Sequence, residues 1–586
     1  MGRHEAEIPA HGCAATAVRA AVRGSRVAWL RCASCLGALC SVAAVGIASA
    51  QTGPYVPPTP GSAGAISPTP LTPGTPGTVT STPATSSVRE AFGVTEDARP
   101  SPWTATIGLQ ETYTNNVNLN PSNVAKSAFV TEVTPYLGLR YNGPRAALIG
   151  DVSLPVVIYL PSDAANDKVY PTVNLLGDLT LVDDFLYLEG AVNVSQQFLS
   201  PFGAQPVSLA NATDNRYRSI VYRISPFIKG RTGAGTEYQL RNDNVWTNLS
   251  GAPINTNNAH YTNFNAYAVN TQTTLGWRAS LDYSDVHFDN DQPSTVTQLY
   301  RGTGIYTATE ALQLSASAGW EQNEFQFTSS QDVIYGVGFV WRPSPVTRAS
   351  ADWDHRYFGS SYRVLLEHTT PLSEWRFDAS RNVTTYPQQI ASLPSGINVA
   401  AFLNALFLPA FADATQRQQF VEQLIRDRGL PASLASPVNL YTNQTLLQQS
   451  YLASVALLGA RNTVLLSGFW VKNQPITANG TPLPPLLSLG NDNTQTGGTV
   501  VWTHKLAPSI NLVSSLEALR TVDNGGAGGV LAGSTTRQGA VRLGISSPIT
   551  PQTTVYAGAR YQTLQSDVAQ DYTEAAGFVG LTYTFR

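Results

Sequence analysis

Between Val340 and Tyr386, apolar and polar residues alternate with a period of two through three successive runs. Ala349, Ala351 and Trp353 alternate with Ser350, Asp352 and Asp354; Tyr362, Val364 and Leu366 with Arg363, Leu365 and Glu367; Trp375, Phe377 and Ala379 with Arg376, Asp378 and Ser380. Successive side chains of a strand point to opposite faces, so each run predicts a strand with one apolar and one charged face. Such a strand needs two different surroundings. A soluble sandwich supplies a core and water, whereas a membrane barrel supplies lipid outside and a wet lumen inside.

The alternation begins at Trp103, where Trp103, Ala105, Ile107, Leu109 and Tyr113 interleave with polar positions, and it runs to the end of the chain. Tight turns are expected at Asn142-Gly143-Pro144-Arg145, Val182-Asp183-Asp184, Lys229 to Gly235, Thr271 to Thr274, Ala308 to Ala311, Pro343 to Val346, Thr370 to Ser373, Gly459 to Asn462, Ala507 to Ser509 and Pro548 to Gln552. Longer polar connections alternate with them, among them Asn116 to Ser127, Pro201 to Asn215, Asn473 to Thr494 and Val522 to Ser534. Short turns on one side and long loops on the other are the asymmetry of an outer-membrane barrel. The expected fold is therefore all-β, a transmembrane antiparallel up-and-down barrel of about 22 strands, with about 16 to 24 as the range. In the last strand Val579, Leu581, Tyr583 and Phe585 alternate with Gly580, Thr582, Thr584 and Arg586. An aromatic-ended amphipathic strand of this kind looks like the signal read by the barrel-assembly machinery.

One connection, 387–441, changes period. Asp413 and Gln416 make an N-terminal cap; Phe420, Val421, Leu424 and Ile425 make a stripe; Arg426, Arg428, Gly429 and Pro431 make a stop. Val399 to Leu408 predicts a second, shorter apolar helix. The pair is expected to pack on the barrel rim or to fold over the lumen as a lid formed by the Phe420, Val421, Leu424 and Ile425 face.

Composition places the barrel in a compartment. Residues 1–50 carry a basic segment (Arg19, Arg23, Arg26, Arg31), an apolar small-residue run from Cys32 to Ile47 and Ala48-Ser49-Ala50, the pattern of a secretory signal peptide cleaved near Ala50. All four cysteines lie in it, so disulfide and thiolate-metal chemistry are not expected of the remainder. Loss of this leader removes five Arg and two Glu and takes the net charge from −3 to about −6, which points away from nucleic acid. Residues 51–102, rich in Pro, Thr and Ser, hold almost nothing to bury and predict a disordered periplasmic spacer ahead of the barrel at 103–586. Beyond the leader no apolar run reaches the ~20 residues of a membrane helix.

If the apolar phase faces lipid, Arg342, Arg348, Arg356, Arg363 and Arg376 project inward with Asp352, Asp354, Glu367, Glu374 and Asp378. These ten are the candidate pore-lining residues. They either brace the wall as cross-strand pairs or guide a hydrophilic solute, and their near-neutral sum argues against a strong charge filter. Catalysis is not expected: His260, His287, His355 and His368 fall in no nucleophile motif and at no metal spacing, and there is no Gly-rich phosphate loop. No cofactor is implied.

The stretch WRPSPVTRASADWDHRYFGSSYRVLLEHTTPLSEWRFDASRNVTTY resembles one that follows a Trp-x-Pro-Ser-Pro-x-Thr turn in the outer-membrane proteins associated with the PEP-CTERM/exosortase system. Arg356-Tyr357-Phe358-Gly359-Ser360-Ser361-Tyr362 matches their Arg-aromatic-Phe-Gly-x-x-Tyr turn. The resemblance extends from TYTNNVNL and VTPYLGLRYNG through YRISPFIKGR and the Asp413 helix to the terminal strand, leaving out the Pro-rich lead-in. It implies a β-barrel that accompanies exopolysaccharide biosynthesis, and it brings no catalytic residues. The chain shows no Pro-Glu-Pro sorting tail, so the resemblance implies a part of the apparatus, not its cargo. The functional expectation is a conduit for exopolysaccharide or another hydrophilic solute, with surface polysaccharide and export components as partners. The alternatives are a structural or polysaccharide-binding barrel with a closed lumen, and a general diffusion porin.

Overall fold

The computed structural model describes residues 103–585 except 163, 167, 251–257, 272, 290–293, 326–327, 392–402, 404–436, 440–441, 443, 477–491 and 526–532. The leader, the Pro-rich segment, the helix expected at 413–429 and, apart from the helical and buried Leu403, the one expected at 399–408 lie outside the described residues.

The first strands are β1 (Trp103–Thr114), β2 (Ala128–Asn142), β3 (Ala146–Ser153), β4 (Val156–Leu160), β5 (Lys168–Val169), β6 (Thr172–Val182), β7 (Leu186–Phe198) and β8 (Arg216–Arg231). They continue as β9 (Glu237–Ser250), β10 (Ala259–Asn270), β11 (Leu275–Phe288), β12 (Thr295–Thr309), β13 (Leu312–Phe325), β14 (Thr328–Ser344), β15 (Thr347–Arg356), β16 (Gly359–Thr370) and β17 (Ser373–Thr385). After a short helix α1 (Tyr386–Ala391) come β18 (Thr445–Leu458), β19 (Asn462–Pro475), β20 (Asn493–Ala507), β21 (Ile510–Asp523), β22 (Thr535–Pro548), β23 (Thr553–Ser566) and β24 (Tyr572–Phe585).

All 24 segments belong to one antiparallel sheet, and β24 pairs back onto β1 from Ala105↔Phe585 to Thr114↔Ala576, so the sheet closes on itself. The wall holds 22 strands, because β4 and β5 continue the paths of β3 and β6 beyond breaks at Leu154-Pro155 and Tyr170-Pro171. Proline has no N–H to give to a ladder, which explains both breaks. Each expected tight turn joins the strands assigned to it: Asp184 takes a left-handed φ of 58° in the β6–β7 turn. On the other rim Gly359, at φ +92°, closes the Tyr357-Phe358 turn between β15 and β16; a side chain there would be strained.

Exposure separates the two faces of the wall. On β14, Val333, Tyr335, Val337, Phe339 and Trp341 are between 39% and 60% exposed, while Ile334, on the other phase, is 1% exposed. Exposed aromatic side chains gather at two levels. Trp103, Trp277, Trp341, Trp375, Trp502 and Phe585 lie beside the tight turns, and Tyr113, Phe129, Trp246, Trp320, Trp353 and Tyr561 lie nearer the loops. An apolar exterior between two aromatic girdles, around a polar interior, is the surface of a barrel embedded in a bilayer. Among the described residues no helix is long and apolar enough to cross a membrane.

Candidate permeation pathway

The structure places all ten sequence-expected residues on the polar phase of β14 to β17, opposite the exposed apolar side chains. Three of them form a ladder: Glu367 accepts from Arg376 at 2.6 Å and approaches Arg348 at 4.0 Å. Asp352 and Arg363 are register partners. Arg342, Glu374 and Asp378 share this face without joining the ladder.

Asp354 and Arg356 pair away from the block, with residues that the sequence pattern alone does not single out. Asp354 on β15 accepts from Arg301 on β12 at 3.1 Å, and Ser317 on β13 lies 3.5 Å from its other oxygen. This reach is possible because β14 carries Gly336 opposite Asp354, leaving the inner surface free for the carboxylate to lie flat. Arg356, 2% exposed, donates through Nε to Glu321 on β13 at 2.9 Å, and Asn323 also donates to Glu321 at 2.8 Å. A further network joins β7 to β9: Glu189 accepts from Arg223 at 2.6 Å and Arg241 at 2.9 Å, and Arg241 donates to Asp243 at 2.7 Å. Charges of both signs thus line the interior, and those of these networks compensate one another.

Two segments leave the rim and dock inside. Residues 199–215, between β7 and β8, cross to the inner faces of β21 to β24. Thr521 donates to the Pro201 carbonyl at 3.1 Å, the Gln205 amide donates to Gln538 at 3.2 Å, and Asn211 sits at a junction. Its Oδ1 accepts from Arg560 at 3.1 Å and from Gln562 at 3.0 Å, while its Nδ2 donates to Glu574 at 3.2 Å. Glu574 also accepts from Thr114 at 2.7 Å and pairs with Arg560 at 2.9 Å. Leu209, Ala210 and Ala212 of the same loop cover an apolar patch made by Val130, Val157 and Tyr159.

The second segment is α1, which starts where β17 ends. Gln388 Oε1 accepts the Thr385 N–H at 2.9 Å, half of a capping box that starts the helix. Tyr386 inserts into an inner patch of Tyr217, Val221, Val245, Tyr261, Val286 and Phe288 on β8 to β11, its hydroxyl meeting that of Tyr217. Gln388 reaches Ser284 on β11 at 3.4 Å. Farther along the same connection Val438 exchanges hydrogen bonds of 2.8 and 3.1 Å with Gln495 on β20. A lid formed by Phe420, Val421, Leu424 and Ile425 falls outside the described residues; the described helix of this connection is α1.

Inner positions near the loops on β2, β4 and β8 to β11 are therefore apolar because segments pack on them. That departure from an all-polar lining was the available sign of inward docking.

No protein-family model and no curated protein sequence matches the chain. Among solved structures it is similar to OccK1 (OpdK) of Pseudomonas aeruginosa, at 10% identity and a TM-score of 0.32, covering 82% of this chain and 99% of that one. It is also similar to OccK3 (OpdO) of the same organism, at 11% identity and a TM-score of 0.26, covering 82% and 95%. The FrpB iron transporter from Neisseria meningitidis (F3-3 variant) aligns at 8% identity and a TM-score of 0.44, covering 85% and 83%. At these values the likenesses carry neither residue roles nor a substrate to this chain.

Proposed function

We propose that this protein is an outer-membrane barrel that conducts a hydrophilic solute through a lumen narrowed by residues 199–215 and by α1, and that the solute is exopolysaccharide. The observation that carries the reading is the docking of two rim segments on the inner wall of a charge-compensated interior. Paired charges offer hydrogen-bonding groups at close spacing while holding no strong field against either sign of solute. The polysaccharide part is supported by the resemblance of Trp341 to Tyr386 to barrels of the PEP-CTERM/exosortase system. Export through the leader at 1–50 and assembly through β24 belong to the same reading.

Single-channel conductance in a planar bilayer tests it, on the intact barrel, on one lacking 387–441 and on one with 200–214 replaced by a short Gly-Ser link. Small or absent steps in the intact protein that grow in either variant support a narrowed conduit. Large ohmic steps in all three make it a general porin. A second reading, a closed barrel that binds surface polysaccharide, is favoured by the complete burial of Asn211 and Glu574 where the loop meets the wall; silence in all three proteins would favour a closed barrel over a conduit.

A further inference from the structure

Arg520 on β21 and Arg537 on β22 are register partners, and both are exposed. They stand on the outward phase. Leu516 and Val541, paired four residues nearer the turns, are 51% and 46% exposed, whereas Thr521 and Gln538 on the other phase hold the inserted loop. Two guanidinium groups directly opposite one another on one face repel. Among the described residues no carboxylate pairs with either, in contrast to the inward Arg560, which is held by Glu574. Lys472 on β19 lies on the same outward phase near the loop rim, and Thr496 and Gln565 flank the arginines in register.

Their height specifies what they meet. The outward stripe of β21 starts at Ile510, beside the tight turn, and reaches Arg520 ten residues later. At a rise of ~3.4 Å per residue and a strand tilt of ~40°, that is about 26 Å, the full height of the ~25 Å apolar band of such barrels. The arginines therefore lie at the loop-side edge of the hydrocarbon, level with lipid headgroups.

We propose that Arg520 and Arg537, with Lys472 two strands away on the same face, bind the phosphate groups of a lipid in the outer leaflet; this rests on the outer-membrane placement above. A phosphate between two opposed guanidinium forks takes charge-assisted hydrogen bonds from both and turns their repulsion into attraction. Its acyl chains would lie along the Leu516 and Val541 surface below.

Native mass spectrometry of the full barrel in detergent, titrated with bisphosphorylated lipid A, tests the site, with phosphatidylethanolamine and inorganic phosphate as separate probes. The expected result is a lipid A adduct favoured over phosphatidylethanolamine, reduced roughly tenfold in R520Q/R537Q and by a smaller factor in R520K/R537K, since lysine keeps the charge but loses the fork. Equal adducts in the parent and R520Q/R537Q overturn the proposal, as does inorganic phosphate displacing the lipid at equal concentration. Heat-modifiable migration in gels shows that each variant is folded. Cell fractionation reads the placement separately: a barrel in the outer membrane that ignores lipid A refutes the site alone, and a barrel found elsewhere refutes the placement.

Discussion

Gly336 on β14 faces Asp354 on β15, and a Cβ on Gly336 would collide with both the Asp354 carboxylate and the Trp353 carbonyl. The missing side chain is what lets Asp354 lie across β14 toward Ser317 and Arg301. Gly336→Ala should displace the carboxylate and lengthen its bond to Arg301, whose side chain is 4% exposed. Overpacking of this kind costs about 1–3 kcal/mol. Urea unfolding of the barrel in lipid vesicles measures it, and an unchanged midpoint would show that the glycine is dispensable.

The two kinds of inner ion pair should differ in what they contribute. In the Arg356–Glu321 pair the side chains are 1% and 0% exposed, whereas Arg376 and Glu367 are 46% and 28% exposed. Glu321→Gln strands a buried guanidinium and should cost about 3–5 kcal/mol. Glu367→Gln, screened by water in the lumen, should cost at most about 1 kcal/mol. Comparing the two unfolding free energies decides the matter; equal losses would mean that burial does not set the strength of these pairs.

The strand order and the tight turns were legible because they are local. Asn142-Gly143-Pro144, Val182-Asp183-Asp184 and Pro343 to Val346 interrupt a period-two pattern within a few residues, and β15 to β17 display their two faces in the sequence itself. The inner architecture was not legible in the same way. Asn211 meets Arg560, Gln562 and Glu574, residues some 350 positions later whose types are common on any polar wall. Nor does the alternation in Val340 to Tyr386 show that Arg356 pairs with Glu321 two strands away, since a period fixes the face of a side chain and not its partner.

Asn211 offers a direct handle on the narrowing. Asn211→Ala removes three hydrogen bonds that tie residues 199–215 to β23 and β24, at about 1 kcal/mol each, with more for those made to charged groups. The ion pair of Arg560 and Glu574 remains, so the wall should hold while the loop loosens. Larger or noisier conductance steps than those of the parent are expected. Identical traces would show that the loop does not limit passage.

The assignment of lipid and lumen to the two faces can be tested on neighbouring residues. Val337, 60% exposed, lies midway along β14 on the outward phase, and Ser350 on β15 lies on the inward phase. In lipid an outward Val337→Arg has no partner and no water, and near the midplane it should cost about 2–4 kcal/mol. At position 350 an added arginine can reach the lumenal carboxylate of Asp352, two residues along the same face, so Ser350→Arg should be the milder change although the site is only 4% exposed. Refolding both variants into vesicles of matched thickness gives the comparison. The reverse order, with Ser350→Arg the more damaging, would turn the barrel inside out and with it the assignment of a polar pathway.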